Sequence, residues 1–228
     1  MENHLAQDTV LTIAVLGGTG KEGSGLALRW ADAGYAVIIG SRDEARAKAA
    51  AVHINTRLQH PDLVSGMTNT DAARACGIAV LTVPYSAHRP TLDSVKAYLQ
   101  GKILVDVTVP INPDSPRKVH LPAGGSAGVE AQALLGDDVR VVSAFQNVGF
   151  SHLQELEHAV DCDVLVTGND RDAKQQVIVL AQAIDMTAFD AGPIENAVVA
   201  EALTSALINI NVRFKVKSSG IRITGIPR

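Results

Sequence analysis

Seven consecutive residues, Gly17-Gly18-Thr19-Gly20-Lys21-Glu22-Gly23, carry a Gly-x-Gly-x-x-Gly spacing directly after the apolar run Val10-Leu11-Thr12-Ile13-Ala14-Val15-Leu16. A strand, a glycine turn and a helical pattern beginning at Ser24 form the context in which this spacing signals dinucleotide binding. Gly18 allows the tight turn, Gly20 lets the backbone approach a pyrophosphate, and Gly23 lets the helix pack on the strand. Amides at the helix N-terminus then face the phosphates. With 19 glycines in the chain, chance matches arise, so the flanking elements carry the reading. The competing reading is a purely structural strand-to-helix turn.

The second strand, Tyr35-Ala36-Val37-Ile38-Ile39-Gly40, bears on which nucleotide fits. An NAD site places Asp or Glu at its end, about 20 residues past the turn, to bind the ribose 2′-hydroxyl. Here Ser41-Arg42 holds that place, with Arg46 one helical turn further on. A carboxylate would repel a 2′-phosphate, whereas Arg42 offers a planar fork of donors and Arg46 shares its face. Ser41 is a good N-cap and a further hydroxyl donor. This favours NADP. The plainer alternative has Arg42 and Arg46 solvating a helix that also carries Asp43, Glu44 and Lys48.

These residues need a scaffold. Helices are expected at about 43–58 and 70–75, then a strand at 78–84, a helix at 88–99 and a strand at 102–110. Residues 111–125 are rich in breakers and read as a long surface loop. A helix capped by Ser126 and a strand over 139–145 follow. Strand–helix alternation implies a parallel sheet with helices on both faces. Beyond Phe145 come a helix near 150–159, a strand over 163–168, a helix over 171–184, a short segment through Phe189, a long helix over 194–215 and a tail. Ligands bind beyond the carboxyl ends of such strands. Those ends are Val83-Pro84-Tyr85, Val109-Pro110 and Gln146-Asn147-Val148-Gly149. The prolines either turn the chain across a nicotinamide or simply end their strands.

Composition narrows the classes. The 228 residues are 46% hydrophobic and 19% charged, ordinary for a globular α/β chain of one domain or one and a half. A net charge of −4 gives no basic footprint for nucleic acid. No apolar run approaches a membrane span, and Met1-Glu2-Asn3-His4 lacks signal-peptide character, so a cytoplasmic protein is expected. Cys76 and Cys162 read as buried apolar residues. The seven histidines show no metal-site spacing, so no metal is expected.

The combination of motifs resembles the NADP-dependent oxidoreductases of the deazaflavin coenzyme F420. It rests on Gly17 to Gly23 with Gly25-Leu26-Ala27, on Gly40-Ser41-Arg42 and on Ala79-Val80-Leu81-Thr82-Val83-Pro84. Asp190-Ala191-Gly192-Pro193 and the tail Gly220-Ile221-Arg222-Ile223-Thr224-Gly225 add to it. The resemblance runs from about residue 11 to the end. It implies an α/β fold, a Rossmann-type doubly wound parallel sheet with a smaller C-terminal α/β lobe. Residues 1–145 would bind NADP and residues 146–228 would close a deazaflavin cleft. It also implies that Thr19, Gly20, Lys21 and Glu22 wrap the diphosphate, that Ser41, Arg42 and Arg46 hold the 2′-phosphate, and that Val83 and Val109 line the nicotinamide side. Tyr85 and His88 stand where the family has an aromatic and a histidine after Pro84. His88 is a candidate to polarise the deazaflavin or meet a phosphate, or else a surface histidine. The family often has a further histidine where this chain has Gln146, whose amide can still hydrogen-bond a ring; Asn147 follows it.

The carriers contain the hydride chemistry, so no acid–base dyad is required. Two other readings compete. A reductase of an imine or keto acid needs a positioned proton donor, for which the chain offers only scattered candidates such as Lys174 and His152. A non-catalytic NADP-binding sensor needs an exposed apolar surface. The face Val198, Val199, Ala202, Ala206 and Ile210 either packs internally or forms a homodimer.

Overall fold

The computed structural model describes residues 11–58 and 62–226. Val10 and the Met1–His4 stretch lie outside the described residues. β1 (Thr12–Leu16) is buried along almost its whole length, as a continuous apolar run in a central strand should be. α1 (Lys21–Asp32) and β2 (Ala36–Ser41) complete the first βαβ unit, followed by α2 (Glu44–Asn55), β3 (Val64–Thr68) and α3 (Asn69–Ala75). β4 (Ile78–Leu81), α4 (Tyr85–Val95), β5 (Ile103–Asp106), α5 (Ala127–Leu135) and β6 (Arg140–Ser143) form the second half.

One sheet of eight strands runs in the order β3-β2-β1-β4-β5-β6-β7-β8, where β7 is Val164–Gly168 and β8 is Ala188–Asp190. The first six strands are parallel and follow the doubly wound 3-2-1-4-5-6 order. β7 pairs antiparallel with β6, and β8 runs parallel to β7. The chain reverses between β1 and β4, opening a crevice beyond Leu16 and Leu81. Residues after Phe145 therefore extend the same sheet. α6 (Phe150–Leu153), α7 (Arg171–Gln182) and α8 (Ala197–Phe214) cover it.

Several elements differ from expectation. β3 replaces a stretch read as connection: Val-Ser-Gly-Met-Thr is a half-exposed edge strand with no apolar run. Gly66 there lies against the backbone of Ala47 and Lys48, so α2 sits directly on the strand. α1 starts at Lys21 rather than Ser24, and α4 at Tyr85 rather than residue 88. The helix expected over 150–159 is one turn, and the segment through Phe189 ends in β8. Ile194–Phe214 matches the long helix expected over 194–215, but it is more apolar than the sequence reading allowed. An 18-residue window within its 21 residues has a mean hydropathy of 1.3, enough by length and composition to cross a membrane. Its Glu201 side is nonetheless committed to α5, as described below.

The irregular chain after α6 has a physical cause. Arg29 on α1 is buried, and its guanidinium donates to the carbonyls of His152, Leu153, Glu155 and His158 at 2.7–3.3 Å. Trp30 beside it donates to Leu180 O at 2.9 Å and stands edge-on to Phe145. Arg29→Leu strands four carbonyls in a poorly solvated site and should cost about 3 kcal/mol. At about 2–4 °C per kcal/mol for a chain of this size, the thermal midpoint should fall by about 6–12 °C. A melt followed by circular dichroism that shifts by less than about 2 °C would refute the role given to this guanidinium.

Candidate functional site

The glycine turn is built by contact. Gly17 has φ +75, and a side chain there would strike Val83, so the left-handed position is Gly17 rather than Gly18. Gly18 instead packs on β1, its amide donating to Val15 O at 3.1 Å and Gly40 O at 3.0 Å. Gly23 leaves no room for a Cβ beside Gly18 and Thr82, which brings α1 onto the strands. Gly20 differs. A Cβ there would meet nothing nearer than 3.6 Å, so the protein's own packing does not demand a glycine. The open space faces outward, where a ligand backbone would approach. Gly20 begins α1 with no side-chain cap, leaving first-turn amides free, and Thr19 is half-buried beside it. Asn69 was not foreseen: its buried Oδ1 accepts from Gly17 N at 3.2 Å and fills the space beside Gly40.

At the end of β2, Ser41 is buried and its Oγ accepts from Asp43 N at 3.2 Å, so its own proton is free to be donated. The cap of α2 is Asp43, not Ser41: Asp43 Oδ1 accepts from Ala45 N at 2.9 Å and Arg46 N at 3.2 Å. Arg42 and Arg46 are exposed, and neither guanidinium has a partner among the described residues. The neighbouring Lys48, by contrast, pairs with Glu44 at 2.6 Å.

From the turn a cavity of about 490 Å³ runs across the sheet ends. Gly20, Lys21 and Glu22 form one end, and Val83, Pro84, Val107, Thr108 and Val109 form an apolar wall. Gln146 to Ser151 cross its floor, and Thr204, Leu207, Ile208 and Asn211 of α8 with Lys217 to Ser219 complete it. Phe145 enters this floor at φ +74, a costly conformation for an aromatic residue that its buried ring holds in place. Asn147 Nδ2 donates to Ala200 O at 2.8 Å and Thr204 Oγ1 donates to Gln146 O at 2.9 Å, tying floor to helix. Gln146 is buried; its Nε2 donates to Asp106 O and Ser143 Oγ, both at 2.8 Å, while its Oε1 has no partner. Glu22 Oε1 is likewise buried and unpartnered, and burial pushes the carboxyl up to about 8. The sequence-predicted residues Gly20, Lys21, Glu22, Val83, Pro84, Val109, Gln146 and Asn147 thus share one cavity. Ser41, Arg42 and Arg46 lie outside it, past the far side of the turn.

Comparison with known proteins agrees with this geometry. The family profile described as NADP oxidoreductase, coenzyme F420-dependent, matches residues 12–110. An F420-dependent NADP reductase from Methanothermobacter marburgensis is 44% identical over 223 residues, covering 95% of this chain and 100% of the relative. The chain belongs to the F420-dependent NADP reductase family. It is therefore an NADP oxidoreductase. The reductase of that name from Methanocaldococcus jannaschii is 41% identical over 95% of this chain and 99% of its own length. A crystal structure assigned as a candidate F420-dependent NADP reductase, from an Arthrobacter species, superposes with a TM-score of 0.77 at 26% identity. It covers 93% of this chain and 98% of that one.

His88 stands apart from this cavity. It is neither at the surface nor in the cavity: its Nε2 lies 2.7 Å from Asp106 Oδ2, both side chains are buried, and it lines a separate pocket with Tyr85, Arg89 and Glu130. Burial alone would lower its pKa, but the hydrogen bond to Asp106, with the charges of Asp106, Glu130 and Glu201, raises it above the ordinary histidine value. Asp106 Oδ1 also accepts from Thr108 N at 2.9 Å, so the carboxylate sets the apolar wall while its carbonyl sets Gln146. Behind it, Glu201 accepts from Ala127 N at 2.8 Å and Gly128 N at 3.1 Å at the start of α5, and burial pushes it up to about 7. Tyr85 donates to Glu130 at 2.7 Å, its hydroxyl pushed up to about 12 by burial and that carboxylate. Lys174 is engaged by Asp190 at 2.6 Å, and neither it nor His152 lines the cavity.

Proposed function

We propose that this chain moves a hydride between NADP(H) and the deazaflavin coenzyme F420 within the cavity that joins the start of α1 to α8. The observation that carries the reading is the continuity of that cavity. It passes from Gly20 at an uncapped helix N-terminus, along Val83 and Val109, to a floor and helix contributed by residues after Phe145. The residues fit both carriers: an open Gly20, two unpartnered guanidinium groups beyond the turn, an apolar wall and a free Gln146 oxygen. When both carriers are bound they supply the chemistry itself, hydride exchange between C4 of the nicotinamide and C5 of the deazaflavin.

The chain's own residues bind, orient and exclude water. Gly18, Thr19, Gly20, Lys21, Glu22 and Gly23 form the diphosphate cradle, while Ser41, Arg42 and Arg46 take the 2′-phosphate. Val83, Pro84 and Val109 back the nicotinamide, and Gln146 and Asn147 belong to the deazaflavin side. Residues 146–228 act as the unit that closes the cleft over residues 1–145. Holding two planar rings in contact is worth several kcal/mol as a proximity effect, on the order of 7 or more in well-oriented cases. His88 acts through Asp106 rather than on either ring. The exposed residues Val199, Ala206 and Ile210 on α8, with half-buried Val198 and Ala202, support pairing with a second copy rather than internal packing. The net charge of −4 gives no basic footprint for nucleic acid, in accord with small-molecule partners.

The test mixes the protein with NADPH and oxidised F420 and follows loss of deazaflavin absorbance. Steady turnover is expected. No turnover with authentic F420 removes the reading. Turnover of an imine or keto acid in its place supports a small-substrate reductase, and binding without turnover of anything supports a sensor.

A further inference from the structure

One wall of the cavity is a helix face, formed by Thr204, Leu207, Ile208 and Asn211 of α8. The first turns of α8 are tied to the floor. Asn147 Nδ2 donates to Ala200 O at 2.8 Å and Thr204 Oγ1 at 3.2 Å, and Thr204 Oγ1 donates to Gln146 O at 2.9 Å. Between these two turns stands Glu201, which is 4% exposed and does not line the cavity. Its carboxylate reaches the other neighbour of α8, the start of α5. Oε2 accepts from Ala127 N at 2.8 Å and Oε1 from Gly128 N at 3.1 Å, the first two amides of that helix. Ser126 Oγ takes the third, Val129 N, at 3.1 Å. Gly128 allows the close approach, since a Cβ there would stand 3.2 Å from Ala197, Ile194 and Ser143.

Two converging N–H groups require a side chain that only accepts. A glutamine would turn its own N–H onto one of them, whereas a carboxylate satisfies both and suits a helix N-terminus. A buried carboxylate adds little net stability, because its desolvation offsets most of the attraction. What two directed bonds add is a defined position. We propose that Glu201 is a positioning residue for the F420 side of the reaction: seated on the α5 amides, it fixes the α8 turn whose Ala200 and Thr204 hold Asn147 and Gln146. This rests on the functional reading above and names a residue that serves it without touching either carrier. Ser205, one turn further on, donates to Lys118 O at 3.3 Å, so the loop leading into α5 rests on the same stretch of helix.

The experiment is steady-state kinetics of the full chain with F420 varied at saturating NADPH, beside fluorescence titration with NADPH alone. Burial raises the Glu201 carboxyl to about 7, so assays at pH 8 keep it ionised. Glu201→Gln loses one of the two contacts and should raise the Michaelis constant for F420 about tenfold. Its kcat should stay within about threefold and its NADPH dissociation constant within about twofold, because the lost contact orders a binding wall. Glu201→Asp keeps the charge on a shorter stem and should fall between wild type and Glu201→Gln. Ser126→Ala removes the other cap of α5 without touching α8. It should lower the thermal midpoint by about 2–4 °C and leave the Michaelis constant for F420 unchanged. A purely structural Glu201 would lower kcat with the folded fraction at an unchanged Michaelis constant, and that result overturns the proposal. So does an equal rise in Ser126→Ala, or a loss of NADPH affinity that matches the loss for F420. Should Glu201→Gln not fold, an unchanged Michaelis constant in Glu201→Asp overturns it equally. Wild type that does not turn over F420 removes the functional reading itself, an outcome distinct from all of these.

Discussion

Arg42→Ala should raise the dissociation constant for NADPH by about 10- to 150-fold and leave that for NADH within about twofold. A charge-assisted hydrogen bond of this kind contributes about 1.5–3 kcal/mol, and each 1.4 kcal/mol is tenfold in affinity. The guanidinium is exposed and unpartnered in the protein itself, so nothing internal compensates or masks the loss. For the same reason folding stability should change by less than about 0.5 kcal/mol, which separates a binding role from a structural one. Arg46→Ala should show a smaller effect of the same selectivity. The double variant should depart from additivity, because both side chains would share one phosphate. Raising the salt concentration should weaken NADPH binding in wild type more than in the double variant. Fluorescence titrations with both reduced nucleotides measure all of this. Equal loss for NADPH and NADH would show that Arg42 does not read the phosphate.

The sequence made the turn and its neighbours legible because each function there coincides with a local pattern. Glycines at fixed offsets follow a buried apolar strand, and a basic residue follows the next one. The sheet order also follows from those units, since βαβ crossovers leave few topologies open. What escaped were groups whose partners are remote in the chain. Asn69 holds Gly17 across 52 positions, and nothing in Thr68-Asn69-Thr70 announces it. Asp106 reads as one polar residue closing an apolar strand; its meaning comes from His88, Thr108 and Gln146, which only the folded sheet ends bring together. β3 was missed because an edge strand need not be apolar, and the helix expected after Gly149 was overruled by the carbonyls that Arg29 gathers. Local propensity lost to a buried charge in that case.

The contact between His88 and Asp106 gives the largest expected stability effect. His88→Leu leaves the Asp106 carboxylate buried with its cation removed, which should cost about 3–5 kcal/mol. On the scale used for Arg29, that lowers the thermal midpoint by about 6–20 °C. Replacing both residues by apolar ones of similar size should recover much of the loss, because the carboxylate goes with its partner. The pH dependence follows from the sign of the shift. The folded-state pKa of His88 lies above its ordinary value, so the pair's contribution is complete below about 6.5 and is lost as pH rises through the higher folded value. Denaturant melts at several pH values between 6 and 9 should therefore show wild type losing its advantage over His88→Asn as pH rises. Glu22 is present in both proteins and drops out of that difference, whereas Glu201 interacts with the His88 charge and its coupling is part of the difference. Asp106 also positions Thr108 and Gln146, so turnover in His88→Asn should fall through the Michaelis constant for F420 while the affinity for NADPH holds. A variant with wild-type stability and a parallel pH profile would mean that the buried contact carries no charge on the histidine.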